Sequence, residues 1–176
     1  MSLSTHLYDI FHTRFGWIGI LHSLNGLRFC VLKETASQAL TTIRAESKGS
    51  YLCPSTQSHA KVTLQNYMSG REDNLRSITI DLPTKSKFYL DAWEVCRNIP
   101  LGETRSYAWV AKEIGRPKSH RGIGRAMACN PIPIVIPCHR VIRSDGSLGG
   151  YSGGGPCIKN ILLDLEGVIK GSSLLF

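Results

Sequence analysis

The segment NPIPIVIPCHR, residues 130–140, restricts what this chain can fold into more than any other stretch. Pro131, Pro133 and Pro137 alternate with branched apolar residues, and Cys138 and His139 follow directly. Each proline fixes φ near about −65° and lacks an N–H donor, so the segment is rigid and suits neither a helix interior nor a central strand. A stiff apolar support that ends in a thiol can hold a nucleophile in one orientation. The bland alternative is an inert core cysteine, whose pKa burial would raise. His139 offers a base, yet neighbouring side chains of an extended chain point apart, so a turn or a bridging water is required. A carboxylate from elsewhere could then orient the imidazole, as in other nucleophile–base–orienter sets.

The chain has 176 residues, enough for one ordinary domain or two small ones with a real core. At 42% hydrophobic and 19% charged residues it reads as globular rather than disordered. No apolar run approaches the roughly 18 residues of a membrane span. The N-terminal stretch MSLSTHLYDIFHTRF has no basic-then-apolar export pattern, so a cytoplasmic location (nuclear in a nucleated cell) is expected. With six cysteines in a chain too long for a disulfide miniprotein and without an export pattern, reduced thiols are expected; no pair has C-x-x-C spacing, so a zinc ribbon is not expected, and His6, His12, His22 and Cys30 read as scattered rather than as ligands.

The net charge is +8. Residues 99–176 carry ten basic and five acidic side chains, and six of the basic ones (Arg105, Lys112, Arg116, Lys118, Arg121, Arg125) fall within 105–125 beside the single acid Glu113. A local excess of this kind suits a polyanion such as nucleic acid, although a solvated face would show the same charge. In the first half, GWIGILHS and LRFCVL read as strands joined across Asn25-Gly26. Residues 36–46 and 58–68 read as helices, and SITIDLP (77–83) as a further strand. A boundary near 83–87 divides the chain into 1–84 and 85–176. Beyond it, KFYLDAWEVCRNI has helical spacing, SYAWVAKEI a short helix with Ser106 as N-cap, and residues 119–130 a second, basic helix after the Gly115 turn. Together they predict a helix-turn-helix. Gly122, Gly124, Ala126 and Ala128 give that second helix a small face, for tight helix packing or for close approach to a groove. RSDGSLGGYSGGGP (143–156) is a loop able to hug a ligand, and the last helix is expected over about 157–166.

NPIPIVIPCHRVI with the downstream GGYSGG resembles the active-site signature of the O6-alkylguanine-DNA alkyltransferases. The likeness runs from about Phe88 through Gly167 and includes PLGETRSYAWVA and LLDLEG in order. It implies a small α/β N-terminal domain, ribonuclease-H-like with an antiparallel sheet, before a mostly helical DNA-binding domain. It also implies irreversible transfer of the alkyl group of O6-alkylguanine, and of O4-alkylthymine, in double-stranded DNA to Cys138. His139 would take the thiol proton through a water, and Glu166 would hold His139. Tyr107 would hydrogen-bond guanine N3, and Asn130 would link the recognition helix to the active-site segment. Arg121 would fill the gap left by a nucleotide flipped out from the minor-groove side. Ser152 and the backbone near Val141 would read the base edges; Tyr151, Met127 and Pro133 would shape the pocket; Lys159 would support the loop. Ser106, Lys118 and Arg125 would contact DNA. A monomer with no cofactor, no metal and one turnover per molecule is implied. Arg125 stands where a glycine is common, and GGGPCIKN is one residue longer than usual before the last helix. The rivals are a silent alkyltransferase-like DNA binder, against which Cys138 argues, a helix-turn-helix regulator with a buried thiol, and a multiple-turnover Cys-His hydrolase.

Overall fold

A computed structural model describes residues 5–48, 51–54, 58–71 and 74–169. The start of the stretch read for an export signal, residues 1–4, lies outside the described residues. The chain forms two compact units, Met1–Pro83 and Thr84–Phe176.

In the first unit, β1 (Thr5–Thr13), β2 (Gly16–Ser23) and β3 (Gly26–Lys33) form an antiparallel meander. The turn between β2 and β3 is carried by Leu24-Asn25, and Gly26 opens β3 at φ +145° with its pairing to Ser23. Thr35 then caps α1 (Ala36–Glu46) through a reciprocal capping box with Gln38. This helix carries the chain across the sheet to β4 (Tyr51–Pro54), which returns parallel to β1. The sheet order β3-β2-β1-β4 is therefore mixed, not antiparallel as expected, because a helical crossover feeds its last strand. Ser58 caps α2 (His59–Met68). The helices lie on opposite faces: a Cβ at Gly19 would meet Ile43 of α1 at 3.1 Å, whereas Lys61 of α2 reaches Asp9 on the other side of β1. The strand expected over 77–83 is not one. It opens with a 3-10 turn at Leu75–Ser77 and makes one isolated bridge, Leu27 with Ile80, held by Arg28 and Ser23 on Asp81. Its apolar alternation is spent on packing under the hairpin rather than on a ladder.

The second unit contains α3 (Lys87–Arg97), α4 (Tyr107–Glu113), α5 (His120–Ala128) and α6 (Gly155–Leu165). Its core gathers Ala92, Trp93, Val110, Ala111, Ile123, Ile132, Ile136 and Leu162, all at most 1% exposed. Trp93 donates its indole N–H to the Ala126 carbonyl at 2.8 Å, tying α3 to α5. The small face of α5 serves two purposes. A Cβ at Gly122 would meet the Phe88 ring at 3.0 Å, so that glycine is a packing contact; at Gly124 nothing lies within 4 Å. The helix ends at Ala128, two residues short of the expectation, and α6 starts two residues early, at Gly155, with Pro156 in its first turn where a missing N–H costs nothing. Two short strands, β5 (Arg105–Ser106) and β6 (Val141–Ile142), pair in parallel and join the start of α4 to the residues just after Cys138. Among the described residues no helix is long and apolar enough to cross a membrane.

Candidate active site

The proline segment runs buried from Ile132 to Val141. Buried irregular backbone needs partners for its polar groups, and Asn130 supplies them. Its Oδ1 accepts from Ile132 N at 3.0 Å, and its Nδ2 donates to Ile136 O at 2.8 Å and to Cys138 Sγ at 3.1 Å. One amide closes the loop and touches the sulfur. Because α5 stops at Ala128, Asn130 is free of the helix and can face inward. Ile134 sits at φ +77°, a costly conformation for a β-branched residue that the surrounding packing enforces.

Cys138 to Arg140 form a 3-10 turn, so Cys138 and His139 do not splay as they would in a strand. His139 Nε2 donates to Glu166 Oε1 at 2.8 Å, which leaves Nδ1 as the acceptor nitrogen. Arg140, which the sequence reading overlooked, grips the same carboxylate: Nε lies 3.1 and 3.0 Å from its two oxygens and Nη2 2.9 Å from Oε1, while Nη1 donates to Ile99 O at 2.7 Å. No local pattern could have flagged a partnership spanning 26 residues. Glu166 follows the last turn of α6 and is therefore delivered by the C-terminal end of that helix.

The charges set the chemistry. Burial pushes the Cys138 thiol up to about 11, against the pull of the Asn130 N–H and the Lys159 ammonium. Burial pushes His139 down, so the imidazole is neutral at pH 7. Burial alone would raise the Glu166 carboxyl, but the His139 N–H and the Arg140 guanidinium outweigh it and hold it at about 2. With His139 neutral, Arg140 supplies the charge that keeps Glu166 ionised. Lys159 is fully buried, donates to Val141 O at 2.6 Å and stands 5.8 Å from the Tyr107 ring; desolvation lowers it to about 8.

Cys138 opens onto a cavity of about 570 Å³ whose walls include Tyr107, Arg121, Met127, Tyr151 and Ser152. Tyr107 is brought there by the β5–β6 pairing, and Arg121 is exposed on the first turn of α5. Ser152 Oγ donates to Met127 O at 3.3 Å, and the Ser106 hydroxyl caps α4 by accepting from Trp109 N at 3.0 Å. Asn130, His139, Val141, Lys159 and Glu166 stand behind this wall rather than in it, and so does buried Pro133; Lys118 and Arg125 are exposed and outside it. The cavity also takes His120, Arg143 and Gly149, which the sequence reading did not single out. Cys96, fully buried on α3, shares the electrostatic environment of Cys138, and burial holds its thiol well above the usual range. Among the described residues no three His, Cys, Asp or Glu side chains are grouped to hold a metal ion.

Residues 87–168 match the family described as 6-O-methylguanine DNA methyltransferase, DNA binding domain. A crystal structure of Mycobacterium tuberculosis OGT in complex with DNA superposes with a TM-score of 0.75 at 32% identity, over 92% of each chain. The chain belongs to the methylated-DNA–protein-cysteine methyltransferase family. A family member of that name from Mus musculus is 51% identical over 79 residues, which is 45% of this chain and 37% of the mouse protein. The Methanosarcina acetivorans methyltransferase is 45% identical over 105 residues, 59% of this chain and 65% of that protein. The matched part thus spans less than two thirds of these curated relatives. The methyltransferase of Pyrococcus kodakaraensis shares the fold, with a TM-score of 0.74 at 24% identity over 93% of this chain. Fold likeness therefore extends over the first unit, where sequence likeness fades.

Proposed function

We propose that this chain reverses alkylation damage in DNA by moving the alkyl group of O6-alkylguanine onto Cys138, once per molecule. One observation carries the reading: the sulfur at the end of the proline segment faces a cavity of about 570 Å³, large enough to admit a purine and within the roughly 300–1,000 Å³ of ordinary ligand pockets, beside an exposed basic helix. The target atom of such a lesion lies inside the base stack, so the nucleotide must be turned out, here from the minor-groove side. α4 and α5 act as a helix-turn-helix, and Arg121 fills the vacated space. Lys118 and Arg125 contact the backbone.

A thiol at about 11 is ionised in about one molecule in ten thousand at pH 7, so deprotonation is coupled to binding. Neutral His139 takes the proton through a water, and Glu166 steadies the imidazolium. The Sγ–carbon bond forms as the carbon–O6 bond breaks, and the electron pair stays on the base. Tyr107 donates to N3, and guanine leaves as a neutral molecule after gaining a proton. The resulting thioether is stable, which accounts for a single turnover without a cofactor. O4-alkylthymine presents the same bond and is a second substrate. The chain acts as a monomer.

Intact-mass measurement after mixing with an O6-methylguanine duplex tests this. The expected result is one methyl group, on the peptide containing Cys138, complete at one equivalent, with Cys138→Ala binding DNA and gaining nothing. Repeated turnover would instead identify a hydrolase, and binding without transfer by the native chain a regulator.

A further inference from the structure

Among the described residues the only ionised side chains lining the Cys138 cavity are the arginines Arg121 and Arg143. His120, Arg121 and Arg143 line it, and no aspartate or glutamate does. Of these, Arg143 is the one that lies off α5, directly after β6. Its backbone is held in a turn, with Arg143 N donating to Ser147 O at 2.9 Å and Gly146 N donating to Arg143 O at 3.0 Å. Its side-chain stem passes 3.7 Å from the point where a Cβ on Gly149 would sit, and the Tyr107 hydroxyl lies 3.2 Å from the same point. Both side chains therefore lie close to the Gly149 backbone. Arg143 is exposed, and its guanidinium makes no hydrogen bond or close ion pair among the described residues, although it interacts at longer range with Asp145. The nearest acid on its turn, Asp145, is exposed, accepts from Ser147 N at 2.9 Å and Oγ at 2.6 Å, and does not line the cavity. The charge of Arg143 is felt inside: burial raises the Tyr107 phenol and lowers the Lys159 ammonium, and Arg143 opposes the first shift and adds to the second.

From this arrangement we infer that Arg143 is a specificity-determining residue that favours O6-alkylguanines whose alkyl group ends in a carboxylate, such as O6-carboxymethylguanine. The inference rests on the alkyl-transfer reading above. A carboxylate on the carbon under attack is a poor fit for a thiolate nucleophile, because two negative charges approach each other. The Arg143 guanidinium at the wall offsets that repulsion and offers a planar pair of donors to the two oxygens. The transfer balances without a further reactant: the Cys138 Sγ–CH2 bond forms, the CH2–O6 bond breaks, and the thiol proton ends on guanine. The products are S-carboxymethylcysteine at 138 and unmodified guanine.

The test compares single-turnover rates on three duplexes carrying O6-carboxymethyl-, O6-carbamoylmethyl- and O6-methylguanine, for the native chain and for Arg143→Ala and Arg143→Lys. The carbamoylmethyl group has the same heavy-atom count as the carboxymethyl group but no charge. The native chain should prefer the carboxylate over the amide by roughly three- to tenfold, the range of a partly exposed ion pair, and less at high salt. In Arg143→Ala the preference should fall to about one, and Arg143→Lys should keep part of it. A native ratio at or below one, or a ratio unchanged in Arg143→Ala, overturns the inference. So does equal slowing of all three duplexes with no change on the free modified nucleosides, which would make Arg143 a phosphate contact. Absence of methyl transfer by the native chain would overturn the alkyl-transfer reading itself and is read from the third duplex.

Discussion

Replacing Arg140 with methionine strands the Glu166 carboxylate. Glu166 is wholly buried as a side chain and Arg140 is only 4% exposed, so water cannot take over from the guanidinium. Arg140 directs Nε to both carboxylate oxygens and Nη2 to one of them. Removing one partner of such a pair costs about 3–5 kcal/mol. The pH dependence gives an independent check on that figure. In the native chain Glu166 is depressed from 4.5 to about 2, so its stabilisation is fully present above 4.5 and is lost as pH falls through about 2. Between pH 7 and 5 it therefore contributes a constant amount. Without Arg140 the carboxyl moves up, with only His139 left to hold it, and the upper limit of the cost is that of protonating Glu166 on folding. Relative to an unfolded value of 4.5, that protonation costs about 3.4 kcal/mol at pH 7 and about 0.7 at pH 5, at about 1.36 kcal/mol per unit. The gap between native and Arg140→Met chains should thus narrow by up to about 2–3 kcal/mol across that interval. Urea unfolding followed by circular dichroism at both pH values measures it. Adding Glu166→Gln to Arg140→Met should recover about 1–3 kcal/mol at pH 7, since a neutral amide is cheaper to bury. A loss below about 1 kcal/mol at pH 7, or a gap flat from pH 7 to 5, would refute the argument that Arg140 compensates a buried charge.

Two further outcomes are expected. Asn130→Ala should lower stability by about 1–3 kcal/mol, because the buried Ile132 N–H loses its acceptor, and should push the Cys138 thiol above its present value of about 11. The pH profile of iodoacetamide labelling at Cys138 measures the second effect, and an unmoved profile would mean that the 3.1 Å contact does not stabilise the thiolate. On α5, Gly124→Ala should stabilise by up to about 1 kcal/mol through helix propensity. Gly122→Ala should be worse than that by about 1 kcal/mol or more, since its new methyl meets Phe88. Thermal unfolding separates the pair, and equal shifts would remove the packing role of Gly122.

Sequence reading succeeded where the physics is local. The spacing of KFYLDAWEVCRNI and the Ser106 cap correspond to α3 and α4, and Gly115 follows the end of α4 at φ +70° as expected. It failed where burial overrides pattern. β1 went unread because THLYDIFHT places Asp9 among its inward residues, and Ser58 and Lys61, 49 and 52 positions away, together with His22 on β2, make that burial tolerable. The strand expected at 77–83 had the right alternation but a single bridging partner. The direction of β4 depended on a crossover that no strand sequence encodes.

At the site the division is the same. A thiol at the end of a proline-stiffened apolar run, a basic helix and a glycine-rich loop are properties of neighbouring residues, and they are written in the chain itself. The condition of that thiol is not. Its proton is held by burial, loosened by an amide eight residues back and a lysine 21 residues on, and His139 is oriented by a glutamate 27 residues away that Arg140 keeps ionised. Acidity depends on solvent exclusion and on charges acting through space, and both exist only once the helices have closed around the loop.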